Sequence, residues 1–232
     1  RQLVQCNSEL VREQIRARFA VPSERLVVIE NAVDAERFHP RRRQSEGSRL
    51  RADLGAGRGP IWLLVGSGMR RKGLDTALAA FAAGASGEAE LWVAGRDDPG
   101  PWRLEAERLG LSERVRFLGP RNDLESVYAA SDALLLPTRY DAFANVCLEA
   151  AAAGLPVVTS GANGAAAALG AGALVVEDPE DVAGFAAALG TLCDPVERQR
   201  RGEAGRRVAE ARSWEEHVRQ LRGLYARVSR SE

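Results

Sequence analysis

Soft metal ligands are scarce in this 232-residue chain. It has three cysteines (Cys6, Cys147 and Cys193) and two histidines (His39 and His217). The cysteines are odd in number, widely spaced and without a CxxC pair, so neither a disulfide framework nor a structural zinc site is expected, and free cytosolic thiols are. An excess of charge of either sign is also missing. The 32 basic and 32 acidic side chains cancel, which argues against general nucleic-acid affinity, since that depends on a basic excess. No stretch reaches the roughly 20 apolar residues of a membrane helix, and the first residues do not form a signal peptide. The chain opens on Arg1-Gln2-Leu3 without methionine, and the expectation is a fragment of a longer protein.

What is present is enough for a sizeable core: 45% of residues are apolar and 28% charged, a balance that buries a core and keeps a wet surface. Helical spacing runs from Ser8 to Phe19, with Asn7 or Ser8 as N-cap, and Arg25 to Ile29 is a short β-branched strand. Arg37 to Arg49, arginine-rich and holding Pro40, has the composition of a linker. Then unbroken apolar runs alternate with helices. Strands are expected at 61–65, 91–94, 115–118, 133–136, 156–159 and 173–176. Helices are expected at 73–83, 102–109 and 124–130, from the fourth strand through Ala153, and at 179–189 with Asp178 as N-cap and Pro179 at its first position. The tail from Val196 to Arg227 reads as two helices divided near Ser213, and the alanine-rich 150–153 and 165–168 as small-residue packing. Apolar strands alternating with helices predict a doubly wound α/β fold, a parallel sheet covered on both faces, over about 60–195. Ligands of such sheets sit beyond the carboxyl ends of the strands, which singles out loops 66–73, 95–101, 119–123, 137–145 and 159–165.

Two of these loops carry chemistry. Gly66-Ser-Gly-Met-Arg-Arg-Lys-Gly73 is not a dinucleotide fingerprint, because Arg71 stands at the third glycine, nor a P-loop, because no GK[ST] follows. It places Arg70, Arg71 and Lys72 at a helix N-terminus, where cations oppose the macrodipole unless an anion joins them. A diphosphate site accounts for that better than a solvated cluster does. Asp141-Ala-Phe-Ala-Asn-Val-Cys-Leu-Glu149 puts one carboxylate before a helix and a second two turns into it. Carboxylates suit sugar hydroxyls through charge-assisted hydrogen bonds. The plain alternative is a capping Asp141, worth about 1 kcal/mol, and an exposed Glu149. The apolar run around Glu149 argues against it, since a charge there needs a partner.

Three segments together resemble glycosyltransferase family 4, whose members are retaining enzymes of GT-B architecture: Ile29-Glu-Asn-Ala-Val-Asp34 with Phe38 and Pro40; Val65-Gly66 to Arg71-Lys-Gly73; and Tyr140 to Ala150 with Gly154-Leu-Pro156. The likeness covers nearly the whole chain in order. The phrasing from Arg139 to Glu149, followed by Thr159-Ser160 and Asn163-Gly164, is most similar to bacterial members that glycosylate the lipopolysaccharide core. The resemblance implies that Arg71 and Lys72 hold the donor diphosphate and that Glu149 binds the ribose. It also implies that Asp141 faces the donor sugar and that the backbone N–H groups of Phe143, Ala144 and Asn145 meet the sugar or distal phosphate. Gly66 and Ser67 would belong to the phosphate loop, and Gly119-Pro-Arg-Asn122 would line the base through Arg121 and Asn122. No cofactor or metal is implied, the cation pair standing in for one, and no DxD-like cluster lies near the phosphate loop. The sequence departs from the family pattern at Asp141, one methylene shorter than the usual glutamate, at Ala32 for a common glycine, and at Ala165–Ala168, where many relatives place a glutamate.

By the same resemblance, residues 1–40 are the tail of an N-terminal domain plus hinge, 41–212 the nucleotide-sugar-binding domain, and 213–232 a helix crossing back to the missing domain. That absent partner would carry the acceptor site and a histidine near the reaction centre; His39 and His217 do not match its position. The implied enzyme takes a nucleoside-diphosphate sugar of UDP-glucose type. It is cytoplasmic, and its full-length form is compatible with a peripheral place on the inner face of the membrane. The fragment alone is expected to be inactive. Transfer from GDP-mannose or ADP-heptose, and a non-catalytic nucleotide-binding module, stay open. A nicotinamide-dependent oxidoreductase fails on the missing GxGxxG, and a sugar epimerase on the missing Tyr-x-x-x-Lys pair.

Overall fold

The computed structural model describes residues 2–229. Arg1 and residues 230–232, at the ends of the expected first and third segments, lie outside the described residues. The chain begins with β1 (Val4–Cys6), α1 (Glu9–Phe19) and β2 (Leu26–Val28), and the two strands pair in parallel. Ser8 is the cap of α1: its Oγ accepts from the Val11 N–H at 3.2 Å and donates to the Ala142 carbonyl at 2.7 Å. β1 escapes the sequence reading because it is three residues long with polar Gln5 at its centre.

The expected linker at 37–49 is helical from Pro40 onward. A 3-10 turn at Pro40–Arg42, a π turn at Arg43–Gly47 and α2 (Ser48–Asp53) follow one another without a break. Two arginines of this helical stretch reach back to the protein. Arg43 and Arg51 both pair with Asp132 and donate to the Ser131 and Ala130 carbonyls, at the end of a helix, where cations meet the negative pole of the dipole.

The main sheet then alternates with helices: β3 (Ile61–Val65), α3 (Leu74–Gly84), β4 (Glu90–Ala94), α4 (Gly100–Arg108), β5 (Val115–Gly119), α5 (Leu124–Ala130), β6 (Ala133–Leu136), α6 (Asn145–Ala152), β7 (Val157–Ser160), α7 (Ala166–Leu169) and β8 (Ala173–Val176). α8 (Val182–Thr191), α9 (Pro195–Glu210) and α10 (Trp214–Ser229) complete the chain. The six strands are all parallel, in the order β5-β4-β3-β6-β7-β8. β3, β4, β6 and β7 are buried along their whole lengths, which is why they read as continuous apolar runs. Each large side chain fully buried here, such as Trp62, Trp92 or Leu134, contributes about 1.5–3 kcal/mol of transfer free energy.

The cap expected at Asp178 sits elsewhere. α8 starts at Val182, and the carboxylate of Asp181 accepts from the Gly184 N–H at 2.9 Å. Asp178 instead closes the preceding turn by accepting from the Glu180 N–H. A four-residue helix at 166–169 occupies the alanine run.

Strand order reverses between β3 and β6. Right-handed crossovers send α3 and α4 to one face and α5 and α6 to the other, with α8 packed on α3 and α9 on α6. The loops after β3 and β6 therefore diverge and leave a crevice at the carboxyl end of the sheet, the place where ligands bind in such folds.

Candidate functional site

Gly73 brings the two walls of the crevice together. Its backbone is left-handed (φ 74°), and a Cβ built on it would lie 1.9 Å from the Pro137 carbonyl oxygen. The loops are tied by the Arg71 carbonyl, which accepts from the Arg139 N–H at 2.8 Å and the Thr138 hydroxyl at 3.1 Å. Arg139 in turn forks onto Asp75 of α3 and donates to the Arg70 carbonyl. Arg71 and Lys72 are thus set against the loop after β6. Gly66 leaves room for the lysine: a Cβ there would sit 2.9 Å from Lys72 Cε.

Lys72 is only 6% exposed, and a buried ammonium needs an anion. Asp141 supplies it. One carboxylate oxygen, Oδ2, accepts from Lys72 Nζ at 2.7 Å and from Arg71 Nη1 at 3.0 Å, and Arg71 also donates to the Tyr140 carbonyl. Burial alone would push the Asp141 carboxyl up. The Lys72 ammonium, and after it the Arg71 guanidinium, outweigh burial and hold it below its ordinary value. Two cations face one carboxylate, so this cluster of three side chains carries a net positive charge.

The start of α6 is already partly engaged. The Phe143 N–H donates to Asp141 Oδ1 at 3.2 Å and the Ala144 N–H to Asn163 Oδ1 at 3.2 Å, while the Asn145 side-chain oxygen accepts from Asn31 at 2.7 Å. Asn163 is buried and also holds Thr159 and Cys147, and burial pushes the Cys147 thiol up to about 12. The amides of the loop after β3 are similarly met from within: Asp97, beyond β4, accepts from the Gly68 and Met69 N–H groups at 2.8 Å each.

Glu149 lies on the other side of the crevice. It lines a cleft of about 280 Å³ together with Gly66, Ser67, Arg96, Arg121 and Asn122. Arg121 forks onto Asp123 at 2.8 and 2.5 Å, which fixes its guanidinium at the cleft wall. The Tyr128 hydroxyl, fully buried, donates to Glu149 Oε2 at 2.8 Å. Burial pushes the Glu149 carboxyl up, opposed by the tyrosine hydroxyl and by Arg37, with the net direction upward. The structure therefore gathers the sequence-predicted residues into two adjoining groups, Arg71, Lys72 and Asp141 beside the start of α6, and Gly66, Ser67, Arg121, Asn122 and Glu149 around the cleft. Among the described residues no group of three or more His, Cys, Asp or Glu is placed to hold a metal ion, and no helix is long and apolar enough to cross a membrane.

Sequence reasoning missed Asp97, Tyr128 and Arg96. Asp97 carried a signal, a carboxylate in a loop already marked by the sheet rule. Tyr128 carried none, since it precedes a strand by the wrong end.

The residues that build this crevice lie within a region shared with known proteins. Residues 59–194 match the family described as Glycosyl transferases group 1. The chain is 39% identical to the lipopolysaccharide glucosyltransferase WaaG of Escherichia coli K12 over 107 residues, 45% of this chain and 29% of that protein. It is 32% identical to a glycogen synthase of Mycobacterium tuberculosis over 240 residues, 99% of this chain and 55% of the relative. The crystal structure of WaaG, a glycosyltransferase involved in lipopolysaccharide biosynthesis, superposes with a TM-score of 0.79 at 26% identity, covering 89% of this chain and 58% of that one. The chain thus spans about half or less of the curated relatives it matches. A match that takes in the whole of the main sheet and both walls of the crevice places this chain among the group 1 glycosyl transferases, enzymes of GT-B fold.

Proposed function

We propose that the chain is the donor-binding part of a retaining glycosyltransferase that moves a sugar from a nucleoside-diphosphate sugar, of UDP-glucose type, to a glycan or lipopolysaccharide-core acceptor. One observation carries this reading: a buried lysine and an arginine on one wall of the switch-point crevice adjoin a cleft whose far side is a half-buried carboxylate. A diphosphate between Arg71 and Lys72 leaves its nucleoside side toward Glu149, which accepts from ribose hydroxyls, with Arg121 and Asn122 beside the base. The sugar then falls near Asp141 and the start of α6.

As the glycosidic bond of the donor breaks, negative charge grows on the departing diphosphate. Arg71 and Lys72 meet it with fixed, partly desolvated positive charge, the kind of preorganised stabilisation that supplies a large share of many rate enhancements. The proposed step calls on no metal ion, because the two side chains neutralise the leaving group. The acceptor site would belong to an N-terminal domain of the full-length enzyme. A lipid-linked acceptor would place that enzyme in the cytoplasm, peripherally on the inner face of the membrane.

Calorimetric titration of the chain with UDP, UDP-glucose, GDP-mannose and ADP-heptose tests the reading, alongside Arg71→Ala and Glu149→Ala. One nucleotide family is expected to bind, and both substitutions to weaken it about tenfold or more, the value of one lost charge-assisted hydrogen bond. Binding that survives both substitutions unchanged would move the site elsewhere. Preference for GDP-mannose or ADP-heptose would replace the donor class.

A further inference from the structure

Tyr128 takes no part in the donor contacts above, yet its surroundings are those of a residue held in one place for a purpose. It sits on α5 with no exposed surface. Its ring meets Phe38 edge-on, centroids 5.5 Å apart at 90°. Phe38 is buried and covered by the Arg37 guanidinium, which is itself forked onto Glu125. The tyrosine has a single hydroxyl proton and two acceptors in reach, Glu149 Oε2 at 2.8 Å and the Val146 carbonyl at 3.3 Å. The shorter bond goes to the charged group, as charge-assisted bonds do.

The consequence falls on Glu149. A glutamate has three rotatable side-chain torsions, and in a half-apolar cleft its carboxylate would swing between rotamers or take up a proton. Tyr128 restricts the first and opposes the second by engaging one oxygen. Oε2 is tethered from beneath, and Oε1 has no hydrogen-bond donor among the described residues although Glu149 lines the cleft. Arg37, the cation whose field Glu149 feels, is already bonded to Glu125 and offers no competing contact.

We infer that Tyr128 is a positioning residue for ribose recognition: its hydroxyl fixes the Glu149 carboxylate so that Oε1 is presented to a ribose hydroxyl of the donor nucleotide. This rests on the donor-site reading above. It adds a residue that touches no substrate and yet sets how sharply the site separates ribonucleotides from deoxyribonucleotides. A fixed acceptor rejects a ligand lacking the hydroxyl because it is left desolvated and unpaired, whereas a mobile acceptor turns back to water and rejects it weakly.

The test is calorimetric titration of the wild-type chain, Tyr128→Phe and Glu149→Gln with UDP, ADP and GDP and with the 2′-deoxy and 3′-deoxy forms of each, after circular dichroism has verified the fold of each variant. The wild type is expected to favour one ribonucleoside diphosphate over at least one of its deoxy forms by about tenfold or more, the value of one hydrogen bond to a charged group. Tyr128→Phe and Glu149→Gln are each expected to reduce that ratio to about threefold or less, while Tyr128→Phe leaves affinity for the deoxy form itself within about twofold. A purely structural role for Tyr128 would weaken ribo and deoxy ligands equally and keep the ratio. If the ratio collapses in Glu149→Gln but persists in Tyr128→Phe, the positioning role is overturned and the site reading stands. If Glu149→Gln keeps the wild-type ratio, or the wild type never separates ribo from deoxy ligands, the ribose assignment itself falls and takes this inference with it.

Discussion

Lys72 meets Asp141 across the crevice, Nζ to Oδ2 2.7 Å, with both side chains largely withdrawn from solvent. The cations proposed to bind the diphosphate therefore have an internal counter-ion, and on that proposal an incoming diphosphate must share them with it. Removing the carboxylate charge frees the cations for the ligand. Asp141→Asn is expected to tighten UDP binding by about three- to tenfold, since each decade corresponds to about 1.4 kcal/mol. Transfer by the full-length enzyme should fall in the same variant, because the group proposed to face the sugar is altered. Calorimetry reads the first effect, and an affinity that is unchanged or weaker would remove the counter-ion role.

The same contact makes stability depend on pH in a defined direction. The folded Asp141 carboxyl titrates below its ordinary value, so the folded state binds that proton less readily than the unfolded chain. The contribution is complete above the unfolded value of about 3.9 and is lost as pH falls through the folded one. Asp141→Asn is expected to cost about 2 kcal/mol at pH 7, the scale of a hydrogen bond to a charged group. Urea unfolding from pH 7 down to 3 should show the gap between wild type and variant narrowing toward the acid end. A gap of constant size would mean the charge of Asp141 is not what stabilises the fold.

Gly73 makes a sharper prediction. Gly73→Ala adds a methyl group in a left-handed conformation, worth about 1 kcal/mol by itself, and aims it at the Pro137 carbonyl 1.9 Å away. Backbone on both sides must move. The expected loss is about 3 kcal/mol or more, the range of overpacked sites, accompanied by weaker nucleotide binding as Arg71 and Lys72 shift. Denaturant midpoints that match the wild type would show that the two loops are not in contact.

The sheet was legible because four of its strands are buried on both faces and spell themselves as runs such as Ile61 to Val65. The loop after β3 stood out because its cations sit where a helix dipole resists them. What could not be read were pairings between side chains distant in sequence. Nothing local says that Tyr128 donates to Glu149, or that the Gly68 and Met69 amides are met by Asp97. Arg43 misled for the same reason: the composition around it reads as a linker, and its partner, Asp132, lies 89 residues on. Asp178 and Asp181 are equally good caps by residue type, and only the course of the turn between them decides for the second.

Cysteine chemistry gives an independent check on the packing. Cys193 is exposed, whereas Cys6 and Cys147 are buried, and burial raises the thiol of each buried cysteine. Thiolate is the reactive form. A disulfide-exchange reagent at pH 8 is therefore expected to label one thiol per native chain, with the other two reacting on unfolding in urea. Rapid labelling of all three without denaturant would contradict the buried positions of Cys6 beside β2 and Cys147 in α6.

The ribose-binding role proposed for Glu149 comes at some expense to the fold, and pH separates the two effects. Its carboxyl is raised above the ordinary value of 4.5, burial being the main cause. A raised carboxyl means the folded state favours the protonated form, so ionised Glu149 destabilises the fold at neutral pH, and that effect fades as pH falls from the raised value toward the ordinary one. Glu149→Gln keeps an acceptor for the Tyr128 hydroxyl and carries no charge. It is expected to unfold at a higher denaturant concentration than wild type at pH 7, with the two curves converging as the pH is lowered. Nucleotide affinity should run the opposite way. The wild type binds UDP more tightly than Glu149→Gln at pH 7, and the ratio tends to one over the same acid range, because only the ionised carboxylate gives a charge-assisted bond to the ribose. Taking the ratio cancels the titration of the nucleotide's own phosphates. Gain of stability and loss of affinity that both fade as the pH falls below the raised value would tie both to a single carboxyl, and an affinity ratio that does not change with pH would show that the ribose contact is made by another group.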